Sequence, residues 1–345
     1  MFRLGAKMSD RQPRERRLTG RRIGRRWLLL VVFLLLAGGA GVAAYPLGLV
    51  TGVGVFAGLP QRVIAQMHNY DELNEPFYSG NYVGAKRADA AELVVVTYNL
   101  RYGEAVAEAI DAYRAAQPLP EADIVLLQEM DEASVSAIAR ALGYNYVYYP
   151  ASVAEDGDDF GNAILARWPI SDPAKLILPG LHPLTGQQRT ATRAVVHVGD
   201  ADVLTYSTHV EVATSPRSLR EAQFAAIVDD IPDDAPYVVV GGDFNTITGR
   251  GVDALAEQFA AAGLGHASAE LGPTFTRFGL RPSATDHIFS RGFALQDAGV
   301  LPNIAASDHF PVWTRFGRPL IQKASTDFTD FTDFTDFTDF SEVNP

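Results

Sequence analysis

The sequence predicts an α/β domain in which two packed β-sheets carry helices on their outer faces. Short apolar runs typical of strands are numerous between residues 91 and 318. Several of them follow one another with no helical segment between them, which does not suit a simple parallel sheet with alternating helices. Four other segments of the same region are expected to be helices. One folded domain over residues 91–318 accommodates all of these elements.

The expected elements follow one another through this region. In its first half we expect strands over residues 92–98, 123–129 and 144–149 and helices over residues 104–116 and 132–142. In its second half we expect strands over residues 161–168, 193–198, 202–209, 237–243, 285–290 and 310–316, with helices over residues 215–231 and 252–262. Ser215 is a plausible N-cap for the third helix, because a serine hydroxyl can accept a hydrogen bond from the first amides of a helix.

The N-terminal segment is basic and is followed by a long apolar run. Residues 1–26 contain ten Lys or Arg and two acidic residues, a net charge of +8; the whole chain carries −12, so the remainder carries −20. Residues 27–60 contain no charged residue. Because a membrane-spanning helix needs about 20 apolar residues, we expect a transmembrane anchor at residues 27–49. Its basic neighbours should remain in the cytoplasm as a tail, with the bulk of the chain on the extracytoplasmic side of the cell membrane.

Two other interpretations of the apolar run remain open. A cleaved signal peptide also begins with basic residues, and residues 40–44 are small, but this run exceeds the usual apolar length of such a peptide. A second crossing at residues 46–59 would return the chain to the cytoplasm. With a single-pass anchor, residues 50–90 are expected to be a linker or stalk.

The C-terminal segment, residues 319–345, is expected to be a disordered acidic tail. It contains five copies of Thr-Asp-Phe at residues 326–340. A period of three matches neither a helix nor a strand, and an acidic residue in every repeat opposes burial. The chain has no cysteine, which excludes disulfides and thiolate metal sites.

Polar side chains that can bind metal or phosphate stand at the ends of several predicted strands. They are Asn99, Glu129, His209, Asp243, Asn245, Asp286, His287, Asp308 and His309. Because side chains alternate along a strand, Asp243 and Asn245 should face one side while Phe244 points into the core. By the same alternation, His287 should point away from Asp286.

Seven segments of the chain together resemble the endonuclease/exonuclease/phosphatase superfamily, in the order in which they occur there. They are TYNLRYG, LLQEMD, GNAILARWPI, STHVE, GGDFNT, TDHIF and SDHFPV, and they cover about residues 94–313. The resemblance implies a four-layer α-β-β-α sandwich with two central mixed β-sheets. It also implies hydrolysis of phosphoester bonds with a divalent cation, Mg²⁺ or Mn²⁺.

The resemblance also assigns residues to the metal ion and to the substrate. Glu129 would be the principal metal carboxylate, with Asn99 beside it and Asp308 as a further ligand. His209 would contact the phosphate or assist the leaving group. Arg101 would contact a phosphate of the substrate.

The residues that would activate water come from three of the matched segments. Asp243 and His309 share the role of general base, which the resemblance does not divide between them. Asp286 would pair with His309, and a carboxylate partner fixes the tautomer of a histidine and favours its protonated form. Asn245, with Asp243, would orient the attacking water and a phosphate oxygen.

The expected function is that of a membrane-anchored, divalent-metal-dependent phosphodiesterase, most of all an endonuclease or exonuclease. A sphingomyelinase-like phospholipid phosphodiesterase or a small-molecule phosphatase is the first alternative, and a non-catalytic membrane-anchored interaction protein is the second. The second is disfavoured because every matched catalytic position holds a competent residue. The acidic net charge mildly disfavours tight duplex binding. A positive groove would have to come from Arg101, Arg189, Arg193, Arg217 and Arg220.

Overall fold

Two β-sheets lie face to face at the centre of the computed structural model, which describes residues 68–84, 92–154, 157–276 and 282–317. The first sheet contains β1 (Tyr78–Asn81), β2 (Glu92–Asn99), β3 (Ile124–Met130), β4 (Asn145–Val153), β5 (Asp159–Ala166), β12 (Leu295–Val300) and β13 (Val312–Gly317). The second contains β6 (Ile170–Leu181), β7 (Gln188–Val198), β8 (Ala201–His209), β9 (Tyr237–Asp243), β10 (Gly265–His266) and β11 (Asp286–Arg291). Their strand orders are β1-β4-β5-β3-β2-β13-β12 and β10-β11-β9-β8-β7-β6.

Helices cover the outer face of each sheet. Helices α1 (Val106–Ala115) and α2 (Glu132–Leu142) pack on the first sheet, and a short 3₁₀ helix, Leu119–Glu121, follows α1. Helices α3 (Arg217–Asp229) and α4 (Gly249–Ala261) pack on the second sheet. The described residues therefore form the four α-β-β-α layers that the family resemblance implied.

The apolar side chains form three layers of core, as alternation along the strands requires. Val95 and Leu126 of the first sheet meet Val239 and Ile288 of the second between the sheets. The alternate residues of each strand face the helices, and Phe244 packs against Phe259 of α4 as predicted. Because both faces of each sheet are covered, the strand ends are the main positions at which charged groups can reach solvent.

The strand register brings the polar ends together. β2 and β3 are parallel neighbours in the first sheet, and β8 and β9 are parallel neighbours in the second. Within each sheet, the C-terminal ends of the two strands therefore lie side by side. His209 is opposite Asp243 in this register, and Asp286 is opposite Asp243 on the antiparallel strand β11. We call this end of the two sheets the site edge.

Several local predictions differ from the structure. Residues 68–84 fall in the segment expected to be a linker, yet β1 pairs with β4, Tyr78 opposite Tyr148, and so belongs to the first sheet. Ser215 does not cap α3, which starts at Arg217 after Pro216 and has no side-chain cap. The predicted strand near residues 193–198 begins five residues earlier, at Gln188.

Strand β6 was not expected because its sequence, ISDPAKLILPGL, contains two prolines and a glycine. It lies at the edge of the second sheet, where missing amide donors face no partner strand, and its pairing with β7 shifts at two irregularities. No helix among the described residues is long and apolar enough to cross a membrane. The predicted anchor at residues 27–49, the basic tail 1–26 and the acidic tail 319–345 lie outside the described residues.

Candidate active site

The two sheets meet at the site edge through Asn99, the last residue of β2. Its side-chain amide donates to Glu129 Oε1 at 3.0 Å and to Asp243 Oδ2 at 3.1 Å. The side-chain oxygen of Asn99, Oδ1, accepts a hydrogen bond from the backbone amide of Arg101 at 3.0 Å. Because Glu129 is the penultimate residue of β3 and Asp243 ends β9, one amide side chain joins the carboxylates of the two sheets.

Two glycines explain how β9 reaches this position. A Cβ on Gly242 would lie 1.9 Å from the carbonyl oxygen of Thr208, so the close approach of β8 and β9 excludes any larger residue there. A Cβ on Gly241 would lie 2.6 Å from Leu126 Cδ1 of the other sheet. The sequence GGD therefore allows close packing immediately before the carboxylate, which is 2% exposed.

His309 completes a second cluster with two aspartates. Its Nδ1 donates to Asp286 Oδ2 at 2.9 Å, while its Nε2 lies 3.6 Å from Asp243 Oδ2. Asp286 also accepts hydrogen bonds from the hydroxyls of Thr274 at 2.6 Å and Thr285 at 2.9 Å. These contacts fix the ring of His309 with its Nε2 toward Asp243, as the predicted Asp286–His309 pair requires.

His209 lies on the opposite side of Asp243. Its Nε2 accepts from the Asn245 side-chain amide at 3.2 Å, and its Nδ1 is 3.8 Å from Glu129 Oε1. Asn245 also donates its backbone amide to Asp243 Oδ1 at 2.9 Å. Both members of the GDFN pair therefore face the site, whereas His287 points away and contacts Thr246 and His266, as alternation predicted.

A buried ion pair that the sequence did not indicate lies behind His209. Arg189 at the start of β7 has its guanidinium 3.3 Å from His209 Nδ1 and 3.6 Å from Glu211 Oε1. Arg189 and Glu211 are both buried. Burial, and then the Arg189 charge, lower the pKa of His209 well below its ordinary value. His209 is therefore neutral at neutral pH and can accept a hydrogen bond or bind a metal ion.

Burial separates the pKa values of the remaining groups. Burial raises the pKa of Glu129, and it raises that of Asp243 to about 7 although the His309 charge opposes it. Burial lowers the pKa of His309, but the Asp286 and Asp243 carboxylates outweigh this effect and raise it to about 10. The site thus pairs an acid that titrates near neutrality with an imidazolium that persists into the alkaline range.

Two overlapping groups of side chains have the geometry of metal ligands. Glu129, His209 and Asp243 form one, Asp243, Asp286 and His309 form the other, and within each group the ligand atoms lie within 4.8 Å of one another. The first is the better fit to a divalent cation because His309 is committed to Asp286. Asp308, predicted as a ligand, belongs to neither group; it is half-buried, and its charge raises the pKa of Glu129.

Backbone strain is concentrated at this edge. Arg101, Tyr102, Glu129 and Asn245 all have φ between 46° and 57°, a region that costs free energy for residues other than glycine. Asp172 and Glu270 are the other residues besides glycine that have a positive φ among the described residues. The packing of the strands therefore holds the ends of β2, β3 and β9 in conformations that direct polar side chains into the site.

The predicted phosphate-binding arginines have different positions. Arg101 lies at the site edge, where its half-exposed side chain is 3.4 Å from Glu104. Arg193, which the sequence offered as a contributor to a positive groove, is paired with Asp230 at 3.2 Å. The structure therefore assigns Arg193 to an ion pair and leaves Arg101 at the rim of the site.

The family profile described as "Endonuclease/Exonuclease/phosphatase family" matches residues 96–309. The chain belongs to this family. Membership confirms the predicted resemblance, and members of the endonuclease/exonuclease/phosphatase family are phosphoesterase-type hydrolases. A UPF0294 protein of Vibrio cholerae serotype O1 is 28% identical over 155 residues, which are 45% of this chain and 44% of that protein. The match thus spans less than half the length of this curated relative.

Solved structures that are similar to this chain have the same fold. A member from Beutenbergia cavernae is 19% identical with a TM-score of 0.55, over 66% of this chain and 72% of that one. A mannosyl-6-phosphatase of Bacteroides thetaiotaomicron is 20% identical with a TM-score of 0.52, over 65% and 99%. D. rerio TDP2 in complex with a single-strand DNA product is 18% identical with a TM-score of 0.50, over 66% and 100%.

Proposed function

We propose that this chain hydrolyses phosphodiesters with the help of one divalent cation, Mg²⁺ or Mn²⁺. The observation that carries the proposal is the position of Asp243, which is 3.1 Å from Asn99, 3.6 Å from His209 and 3.6 Å from His309. Asp243 thus lies between His209, a proposed metal ligand, and the imidazolium of His309. From this position it could couple the binding of a cation to the removal of a proton from water.

Glu129, with Asp243 and His209, would hold the cation. Carboxylate oxygens are the ligands that Mg²⁺ prefers, and one or two of them suffice because this ion keeps several waters. When bound, it would neutralise phosphate charge and lower the pKa of a coordinated water. Asn99 would orient the carboxylates through its two hydrogen bonds rather than serve as the main ligand.

The raised pKa values of Asp243 and His309 support a division of the general-base role that the sequence left shared. Asp243 is the group suited to accept a proton from water, since its pKa lies near 7. His309, with a pKa of about 10, is protonated at neutral pH and would donate a hydrogen bond to a phosphoryl oxygen. Asn245 would position the two groups beside the phosphate, because its backbone amide donates to Asp243 and its side-chain amide donates to His209.

The proposed catalytic residues act on the phosphate group of the substrate and do not distinguish between the alcohols that are attached to it. Proteins of this fold include TDP2, solved with a single-strand DNA product, and a mannosyl-6-phosphatase. The DNA complex supports the nuclease activity expected from the sequence, and the phosphatase supports a smaller ester. Substrate choice therefore depends on the surface around the site.

The same proposal includes the cellular position expected from the sequence. The apolar segment at residues 27–49 would anchor the chain in the cell membrane with the basic tail inside. Residues 68–317, including the active site, would then work on the extracytoplasmic side.

The experiment that tests this function measures hydrolysis of the soluble diester bis(p-nitrophenyl) phosphate by the full-length chain. Activity should require Mg²⁺ or Mn²⁺ and disappear in EDTA. Glu129→Gln should raise the metal concentration needed for half-maximal activity by at least roughly tenfold, because it removes a ligand charge. Arg193→Gln, a change at a distant ion pair, is the control. Full activity after chelation would refute the proposal.

A further inference from the structure

The first described segment of the chain, residues 68–84, precedes the family match, which begins at residue 96. Its backbone joins the first sheet at two points. β1 pairs with β4, and Asn69 forms an antiparallel bridge with Ser152 near the end of β4. Because this segment lies outside the matched residues, its role has to be inferred from its own contacts.

The side chain of Asn69 connects this segment to the second sheet. Its amide nitrogen donates to the carbonyl oxygen of Gly186 at 2.8 Å, and its carbonyl oxygen accepts from the backbone amide of Gln188 at 2.9 Å. Gly186 belongs to the connection between β6 and β7, and Gln188 is the first residue of β7. Asn69 therefore holds the start of β7 against the end of β4 with both of its polar atoms.

The residues that follow Gln188 contact the candidate active site. The guanidinium of Arg189 lies 3.3 Å from His209 Nδ1, and its Cζ lies 5.6 Å from the ring centroid of Phe160. The rings of Phe160 and His209 are themselves 5.8 Å apart. The next residue, Thr190, is opposite His209 in the register of β7 and β8. A displacement of the start of β7 would therefore move the groups that surround His209.

The other contacts of Arg189 restrain its guanidinium only weakly. The ion pair with Glu211 spans 3.6 Å, which is longer than a hydrogen bond. The buried Nε of Arg189 has no hydrogen-bond partner among the described residues. Because a guanidinium with unused donors is not fixed by its own hydrogen bonds, the position of Arg189 depends on the strand that carries it.

Lys175 fixes the segment on the other side of Asn69. This lysine of β6 is buried, and its ammonium donates to the backbone carbonyls of Tyr70 at 2.9 Å and Glu75 at 2.7 Å. Asn69 is thus held by the bridge to Ser152 and, through the next residue, by β6. An anchored side chain of this kind can transmit a fixed position to the start of β7.

We propose that Asn69 is a positioning residue for the proposed hydrolysis. It holds the start of β7 so that Arg189 stays beside His209, a proposed ligand of the cation. Asn69 acts through Arg189 and does not itself contact substrate or cation. This inference rests on the proposed function and adds to it a residue that precedes the family match.

The test measures kcat and KM of the full-length chain on bis(p-nitrophenyl) phosphate with saturating Mg²⁺. Asn69→Ala removes both hydrogen bonds, and Asn69→Asp keeps an oxygen that can accept from Gln188. Asn81→Ala is the matched control, because Asn81 is an exposed asparagine at the end of β1 in the same segment. Arg189→Lys keeps the charge but not the planar guanidinium, and combining it with Asn69→Ala completes a double-mutant cycle.

Asn69→Ala should lower kcat by at least roughly tenfold and leave KM within about twofold of wild type, because a displaced group in the site slows turnover without removing a substrate contact. Asn69→Asp should lie between Asn69→Ala and wild type, and Asn81→Ala should match wild type. The effects of Asn69→Ala and Arg189→Lys should not add, so the double variant should stay within about threefold of the slower single variant.

Two results would overturn this inference and leave the proposed function intact. One is full turnover in Asn69→Ala, and the other is a double variant in which the two losses multiply, since independent effects exclude action through Arg189. If Asn69→Ala loses the circular dichroism spectrum of wild type, the cycle is run with Asn69→Asp and judged by the same criteria. A wild type that does not hydrolyse the diester with Mg²⁺ would overturn the proposed function, and this inference with it.

Discussion

Replacing Asp286 by Asn should keep the ring of His309 in place while lowering the pKa of that ring. Asp286 is 1% exposed and accepts from His309 Nδ1 at 2.9 Å and from two threonine hydroxyls. Asn has the same shape, so the core between the sheets should remain intact. What the change removes is the negative charge that favours the imidazolium form of His309.

The size of the effect follows from the pKa of His309. Burial alone would lower that pKa, yet it rises from 6.5 to about 10, first because of the Asp286 carboxylate and then because of Asp243. A rise of this size corresponds to about 5 kcal/mol in favour of the charged ring. Without Asp286, burial is opposed mainly by Asp243, and His309 should be largely neutral above neutral pH. We expect kcat to fall by roughly 10²–10⁴.

The assay is kcat and KM on a soluble diester between about pH 6 and pH 11 with saturating Mg²⁺. In wild type the alkaline limb of the kcat profile should follow the pKa of His309, near 10. In Asp286→Asn this limb should move to lower pH, with little change in KM because Asp286 does not contact substrate. Thr285→Val, which removes one hydrogen bond and keeps the carboxylate, should leave the limb in place. An Asp286→Asn enzyme with an unshifted alkaline limb would refute the reasoning.

Three further predictions concern the base, the cation and the membrane. Asp243→Asn and His309→Ala should each reduce turnover by at least roughly a hundredfold with an unchanged circular dichroism spectrum; near-normal turnover would remove that residue from the mechanism. Burial raises the pKa of Asp243 from its ordinary value of 3.8 to about 7. The contribution of this group to the free energy of unfolding is therefore lost as the pH rises from 3.8 to about 7. Mg²⁺ should therefore raise the melting temperature more at pH 8 than at pH 5, and equal shifts would count against Asp243 as a ligand. The chain should remain in the membrane fraction at its full mass of 37.3 kDa after washing with high salt. A protease added outside the membrane should digest the domain over residues 91–318. A soluble, shortened chain would indicate a cleaved signal peptide, and a protected domain would indicate a second crossing at residues 46–59.

The sequence predicts local structure well where several local signals agree. Helix α2 spans Glu132–Leu142 as expected, because Asp131 caps its first turn through Ser134 and Gly143 ends it with φ of 72°. The alternation of Asp243, Phe244 and Asn245 likewise needs only the period of a strand. These features are set by neighbours in the sequence, so the sequence is sufficient for them.

The sequence predicts poorly whatever depends on contacts between distant segments. Thr274 lies in an irregular segment twelve residues before Asp286, and nothing in its surroundings marks it as the residue that supports the carboxylate. Arg189 and Glu211 are charged residues in a strand and a loop, which a sequence-based interpretation places in solvent. They are buried as an ion pair 3.6 Å apart, which lowers the cost of burying each charge and forms only when β7 lies beside β8.

The arrangement of charges explains why a cation belongs in this site. Glu129, Asp243 and Asp286 converge with at most 16% of any side chain exposed, and His309 is the one imidazolium that they share. With all three acids ionised, the cluster carries a charge of about −2, which is costly in a partly dehydrated site. The fold can relieve this cost with a proton on Asp243, whose pKa is therefore raised, or with a divalent cation beside Glu129. Because proton and cation compete for the same carboxylate, a divalent cation beside Glu129 would favour the ionised form of Asp243, which is the form that can accept a proton from water.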